Sequence, residues 1–413
     1  MTTSAYFSKA KLLQRLHEGP LGIHIDMYAA RLQQEGHCRQ SGWRCLRVVG
    51  DYSRWLARRQ LSLSDVDERT VDQYQRFRSR YRCPFLSDRP ALNRLLSVLR
   101  GIGAIPEKPP VALGLHEQVE QDFQRYLSQE CGLAPVSIIR HIPSVRRFLR
   151  ERCPGGAHYL SGLTRTDILE FVEQHVHDHS PRSAQIMCWT LRAFTRYLRY
   201  RGHVTDDIAD CVPTIRTWKL SSIPTYLSPK QVQHVLNACD RRSAIGRRDY
   251  AILLLLARLG LRANEIATLT FEDIDWTTGQ LTIHGKGRKE AQLPLPSDAG
   301  TAMAAYLQDG RPPSCSRRVF LRHWAPHVGF ASSASVSVIA TTALKRAGID
   351  VTPHKGAHLF RHSLATQLLH AGASLTEIGQ VLRHQDHDTT RIYAKVDISA
   401  LRALGLRWPG GAP

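Results

Sequence analysis

The stretch HLFRHSLATQLLHAGASLTEIGQVLRHQDHDTTRIY, residues 358–393, reads as three helices joined by short turns. HLFRHSLATQLLHAG (358–372) keeps helical spacing until Gly372 closes it, and it carries His358 and Arg361 at i, i+3 on one face. Ser374 and Glu377 stand at capping-box spacing and open a second, short helix that ends near His384. Asp388 is the natural cap of the third. Tyr393 then lies one to two turns into that helix, with His384 held nearby by the preceding loop. Taken singly, each residue has an ordinary structural reading: a histidine on a helix is usually polar surface, and a tyrosine near a C-terminus usually packs.

Upstream, YAILLLLARLGLRANEIATL (250–269) reads as a buried helix, a turn at Gly260 and a second helix. IDWTTGQLTIHGKGRKEAQLPLP (274–296) alternates in strand fashion, with turn signals at Thr278-Gly279 and Gly285-Lys286-Gly287, which predicts a small antiparallel sheet. Between 205 and 229 the helical periodicity stops and Pro213, Pro224 and Pro229 appear, the mark of a linker. The segment before it, SPRSAQIMCWTLRAFTRYLRYRG (180–202), is a helix with Ser180 as cap, Pro181 at the first position and Gly202 just past the end. Further back, YAARLQQEG, SGWRCLRVVGDYSRWLARR and LSDVDERTVDQY (28–74) follow the same order of helix, basic helix, short loop and helix as FQRYLSQECG, SIIRHIPSVRRFLRER and LSGLTRTDILEF (123–171). The offset of roughly 96 residues suggests a duplicated helical module.

The chain has 413 residues and 42% apolar content, enough for two or three domains with real cores. It carries no run of eighteen apolar residues, and MTTSAYFSKAKLLQ lacks the apolar segment of a signal peptide, so a cytoplasmic protein without a membrane partner is expected. The nine cysteines are scattered and form no C-x-x-C pair, which indicates neither a disulfide framework nor a zinc ribbon. Formal net charge is +20, spread along the chain, and it points to a polyanionic partner, nucleic acid first. Arg192, Arg196 and Arg199 recur on one face of the 180–202 helix, and Arg140, Arg146 and Arg147 lie on the basic helix before it. They are the candidate phosphate contacts.

Arg262 (in GLRANEI), Lys286 (in HGKGRKE), His358 and Arg361 (in HLFRH), His384 (in VLRHQ) and Tyr393 (in TTRIY) follow one another in an order that resembles the signature of the tyrosine recombinases, the phage-integrase family. The nine-residue step from His384 to Tyr393 and the run LATQLLHAGASLTEIGQVL are similar to the family's as well. The resemblance implies a mainly α protein with helical DNA-binding modules and a mixed α+β catalytic domain of tyrosine-recombinase type, with a small antiparallel sheet. The expected division is a helical module over 1–110, a core-binding domain over 111–212, a linker over 213–228 and the catalytic domain over 229–413. Two positions depart from the family pattern: Arg383 stands where glycine is usual, and Ala291 where a basic residue is common.

The residue types suit the chemistry that the family performs. Attack of the Tyr393 hydroxyl on a DNA phosphodiester brings anion against anion, and two arginines, Arg262 and Arg361, can fork onto the non-bridging oxygens. His358 and His384 can each donate or accept a proton near neutral pH. Lys286, on its glycine-flanked turn, can protonate the leaving 5′ oxygen. Glu265 matches an acidic position that orients Arg262. The implied product is a covalent 3′-phosphotyrosine that a second DNA's 5′ hydroxyl reseals, with no cofactor, metal or ATP. The implied partners are double-stranded DNA and three further copies of the chain in a tetramer on two sites, with accessory DNA-bending or partner recombinase proteins. The apolar run DISALRALGLRW (397–408) would dock on a neighbouring subunit.

Three other readings fit part of the pattern. His354, His358 and His362 repeat at i, i+4, i+8, as in a metal hydrolase, but no carboxylate or cysteine accompanies them in that helix. A regulator that only binds DNA has no use for all six groups in order. A type IB topoisomerase shares the chemistry, but the two helical modules favour recombination, as integrase or transposase of a mobile element rather than Xer-type dimer resolution.

Overall fold

Several helix starts among the described residues are fixed by short polar side chains. Asp67, Thr164, Ser180, Ser228, Ser243 and Ser374 each precede a helix and accept a hydrogen bond from the backbone N–H three residues on. Each such cap contributes about 1 kcal/mol. The computed structural model describes residues 2–7, 9–83, 85–108, 113–154, 160–216, 223–285, 290–350, 356–384, 386 and 388–396. Of the positions singled out from the sequence, Lys286, Gly287, His354 and the run 397–408 lie outside the described residues.

The chain divides into two compact units, one of Met1–Lys108 together with Ser222–Pro413, the other Pro109–Ser221. The first opens with α1 (Ala10–Leu16), α2 (Ile25–Gln34), α3 (Arg39–Arg58), α4 (Glu68–Ser79) and α5 (Asp88–Gly101) around their own core of Leu46, Val49, Tyr52, Leu92 and Leu95. The intervening unit holds α6 (Leu115–Gln129), α7 (Pro135–Arg152), α8 (Arg165–Val176) and α9 (Pro181–Tyr200), packed on Phe123, Phe148, Phe171, Phe194 and Leu198. The two similar sequence segments, 28–74 and 123–171, fall on α2 to α4 and on α6 to α8, and each set is followed by one more helix, α5 or α9.

After the linker come α10 (Pro229–Asn237), α11 (Ala244–Leu259) and α12 (Ala263–Thr268), then β1 (Ile274–Asp275), β2 (Gln280–His284) and β3 (Glu290–Pro294). Pro229, read from the sequence as the last of the linker prolines, is the first residue of α10, where its missing N–H costs nothing. α13 (Ser297–Asp309), α14 (Ala334–Arg346), α15 (Ala357–His370), α16 (Leu375–Val381) and α17 (Asp388–Arg391) complete the domain, with a 3-10 turn over Ile392–Val396.

The sheet is antiparallel in the order β1-β2-β3, with Leu281 opposite Leu293 and Ile283 opposite Ala291. Leu281 and Ile283 alternate inward to a core centred on α11, whose residues Ala251 to Leu256 are all buried. A helix apolar on every side sits inside a domain rather than on it. Each of those leucines contributes about 1.5–3 kcal/mol by leaving water. α13 and α15 pack on α11, and this places the start of α15 beside the end of α11. No helix among the described residues is long and apolar enough to cross a membrane.

Candidate active site

α11 stops at Gly260, whose φ of 56° is left-handed, and a Cβ there would meet Leu382 Cδ2 at 2.8 Å. The turn delivers Arg262 to the N-cap of α12. Its backbone N–H donates to Glu265 Oε2 at 2.8 Å and its Nη1 to Glu265 Oε1 at 2.8 Å. One buried carboxylate thus caps the helix and fixes the direction of the guanidinium. The Arg262 side chain remains 34% exposed and open to an incoming anion.

α15 carries His358, Arg361 and His362. Arg361 is buried, and its two Nη atoms donate to the carbonyls of Gly260 and Leu382. Burial, then the charge of Arg262, draws its pKa down to about 10, so it stays a cation at neutral pH. His358 lies on the exposed side of the same turn, its ring centroid 6.1 Å from that of His362. Partial desolvation by the atoms packed around it, then the charges of Arg361 and Arg262, hold its pKa below the usual histidine range even though the residue is exposed.

α16 ends in two bonds, Arg383 N–H to the Gln380 carbonyl at 3.0 Å and His384 N–H to the Gly379 carbonyl at 2.9 Å. That pattern needs a left-handed residue between them, usually glycine. Here it is Arg383, at φ 55°. A side chain in that region costs about 1–2 kcal/mol. The carbonyls at this helix end face the two site arginines: Leu382 accepts from Arg361, and Arg383 accepts from Arg262 Nη2 at 3.2 Å. Terminal helix carbonyls lack partners of their own and carry partial negative charge, so the end of α16 is a seat for cations.

The sequence places Asp388 as a cap; in the structure it is the first residue of α17, and Tyr393 falls in the 3-10 turn beyond. The helix starts one residue earlier than the cap reading requires, because Thr389 N–H already closes a turn onto the Asp386 carbonyl at 3.0 Å. Tyr393 is 2% exposed and packs with Ala365, Ile378, Leu382 and Val396. Its hydroxyl shares a 2.9 Å hydrogen bond with His362 Nδ1. Burial pushes the phenol up to about 12, with the Arg361 charge opposing. The His384 ring lies nearly parallel to the Tyr393 ring, 5° apart with centroids 6.4 Å apart, and its Nδ1 contacts Thr390 Oγ1 at 2.7 Å. Burial, then Arg361 and Arg262, pushes His384 down to about 4, which keeps it neutral at physiological pH.

The structure therefore gathers Arg262, Glu265, Arg361, His384 and Tyr393, sets His358 at the rim, and adds His362. In the sequence His362 stands out only as part of a possible metal-binding repeat. Its neighbour Arg361 was a signal, but its contact with a tyrosine 31 positions away had none. A phenol against an imidazole, beside the Arg361 guanidinium, can lose its proton and attack an anionic centre.

In the intervening unit, Arg140 and Arg196 are exposed. Arg146 is bound to buried Glu120, with Nη2 at 2.8 Å from Oε2, Arg147 lies 3.6 Å from Glu151, and Arg199 pairs with Asp207. Arg192, half-buried, donates to the Val212 carbonyl at 2.9 Å and ties α9 to the chain that follows it. The three arginines of one helix face thus divide between internal ties and open surface.

The Phage integrase family matches residues 225–399. The putative integrase/recombinase y4rA of Sinorhizobium fredii is 43% identical over 98% of this chain and 99% of its own length. The tyrosine recombinase XerC of Oceanobacillus iheyensis is 29% identical over 68% of this chain and 92% of its own. Among solved structures, the XerH site-specific recombinase in a post-cleavage complex with palindromic difH substrate superposes with a TM-score of 0.55, at 18% identity, over 70% of this chain and 83% of that one, a likeness of fold. With full-length identity of this order to an integrase/recombinase, and a buried tyrosine set among its histidines and arginines, this chain belongs to the phage-integrase family, the tyrosine recombinases.

Proposed function

We propose that this protein cleaves and rejoins double-stranded DNA at specific sites through a covalent 3′-phosphotyrosine on Tyr393, as the integrase or transposase of a mobile element. The observation that carries the reading is the 2.9 Å hydrogen bond between the Tyr393 hydroxyl and His362, within a cluster that also holds Arg361, Arg262 and His384. In the forward step the Tyr393 Oη–P bond forms as the P–O5′ bond breaks. The phenolic proton passes to an imidazole, His362 being the one in contact, and the departing 5′ oxygen takes a proton from Lys286. Arg262 and Arg361 hold the non-bridging oxygens, and His358 and His384 complete the set around the phosphate. The exchange is between two esters, so it needs neither ATP nor a metal ion.

Residues 111–212 are the core-binding DNA domain in this reading, with Arg140 and Arg196 as its open phosphate contacts, and 229–413 the catalytic domain. The excess of +20 charges supports a DNA partner. So does the DNA substrate in the solved XerH complex. The protein works as a tetramer in the cytoplasm, on the nucleoid. A mobile-element role is favoured because y4rA matches this chain end to end, whereas XerC matches about two thirds of it. Xer-type dimer resolution is the second reading, and the XerC similarity is what speaks for it.

The test is incubation with a supercoiled plasmid carrying DNA that flanks the gene, in EDTA, followed by a search for SDS-stable protein bound to DNA. An adduct that is lost in Tyr393→Phe is the expected result. Binding without an adduct on intact or nicked substrates would overturn it.

A further inference from the structure

Arg383 occupies a position whose backbone favours glycine, and three independent features set it apart from a tolerated surface substitution. Its φ of 55° is left-handed, a strain that any other left-handed-tolerant residue would lessen. Its side chain does not run out to water: it is 12% exposed, and Nη2 donates to Glu265 Oε2 at 2.9 Å. Its Nε and Nη1 are enclosed without a hydrogen-bond partner, an added desolvation cost for a cation. Strain and desolvation together are retained where a residue does work for its surroundings.

The surroundings show what that work is. Glu265 Oε1 takes Arg262 Nη1, and Oε2 takes both the Arg262 backbone N–H and Arg383 Nη2. The carbonyl of Arg383 takes the other Arg262 terminus, Nη2, at 3.2 Å. Arg262 is therefore held from two sides by one residue, directly through the Arg383 backbone and indirectly through a carboxylate that the Arg383 side chain pins. The contact spans 118 positions of chain and joins the start of α12 to the end of α16. A lone glutamate could swing with Arg262, whereas one fixed by a second buried guanidinium cannot, and a pre-set guanidinium needs no reorganisation when charge develops on the phosphate.

We propose that Arg383 is a positioning residue: through Glu265 and its own carbonyl it locks Arg262 in the orientation that meets the phosphate in the transition state. This rests on the cleavage reading given above. It predicts an effect on the chemical step and little on DNA affinity, because the side chain faces the protein.

The experiment measures the rate of SDS-stable adduct formation on the flanking-DNA plasmid across plasmid concentrations, for the full chain and for Arg383→Gly, Arg383→Lys, Glu265→Gln and the Arg383→Gly/Glu265→Gln double variant. Glycine suits the backbone, so that variant folds, and its thermal midpoint equals or exceeds wild type. The expected result is a roughly tenfold lower rate at saturating DNA, a half-saturating concentration within about twofold of wild type, partial recovery with lysine, and a double variant no slower than the slower single one. A wild-type rate in Arg383→Gly would overturn the inference. So would an unchanged saturating rate with weakened half-saturation, which marks a direct DNA contact, or a lysine variant slower than glycine, which marks backbone strain alone. A wild type that forms no adduct would instead remove the cleavage reading, and this inference with it.

Discussion

Two consecutive helices, α15 and α16, end in the same way and serve different purposes. At each end the residue after the cap is left-handed and two backbone bonds close back on the last turn: Gly372 and Ala373 bond to Leu369 and Leu368, Arg383 and His384 to Gln380 and Gly379. Gly372 has open space around it, and glycine there only turns the chain. The end of α16 instead presents its carbonyls to Arg361 and Arg262 and sends a third guanidinium to Glu265. A motif that is local in origin becomes part of the site only when the fold brings cations to its open carbonyls.

The largest expected effect comes from removing a cation from that seat. Arg361→Ala should cut adduct formation by on the order of 100- to 1,000-fold, about 3–4 kcal/mol of transition-state stabilisation, measured as a single-turnover rate. It should also lower thermal stability, since the carbonyls of Gly260 and Leu382 lose their donor inside the protein. Gly260→Ala tests the third left-handed turn, the one packed against the seat. The new methyl meets Leu382 at 2.8 Å and Leu364 at 3.1 Å, and with the left-handed penalty it should destabilise by about 1–3 kcal/mol in a urea melt while slowing cleavage.

Gly372→Ala should separate the two helix ends cleanly. It meets no neighbour, so only the backbone term applies, about 1–2 kcal/mol of stability, with adduct formation unchanged. Ser374→Ala, which loses the cap of α16 at its far end, should cost about 1 kcal/mol of stability and likewise leave cleavage intact. The pH dependence concerns His384. Its folded pKa of about 4 lies below the ordinary histidine value of about 6.5, so the unfolded chain binds the proton more readily. Stability should therefore fall as pH drops from about 6.5 towards 4, and urea midpoints in His384→Gln should show a shallower slope across that window.

Much of the catalytic domain is legible in the sequence because its signals are short-range. Ser374 with Glu377, Gly372 after a periodic run, and the leucines of α11 each declare themselves within a turn or two of helix. The alternation in 280–294 declares β2 and β3 for the same reason. Asp388 shows the limit of such signals, since a cap and a first helical residue differ by one position and the preceding turn at Asp386 decides between them. Arg192 shows another: a basic helix face is visible in sequence, but that one of its arginines is used to tie down residue 212 is not.

By itself, then, the sequence determined the helices on either side of Gly260 and Gly372, the caps at Ser180 and Ser374, the small antiparallel sheet and the order of Arg262, Arg361, His384 and Tyr393 along the chain. Periodicity and capping act over three or four residues, so they can be read without knowing what lies across the core. The tertiary structure alone decided that Tyr393 is buried against His362 rather than the more widely spaced histidines, that Arg361 is seated on the ends of α11 and α16, and that Arg383 turns inward to Glu265. Those contacts join residues 21 to 118 positions apart. Their energies depend on desolvation and on which carbonyls are left open by packing, quantities that exist only once the chain has folded.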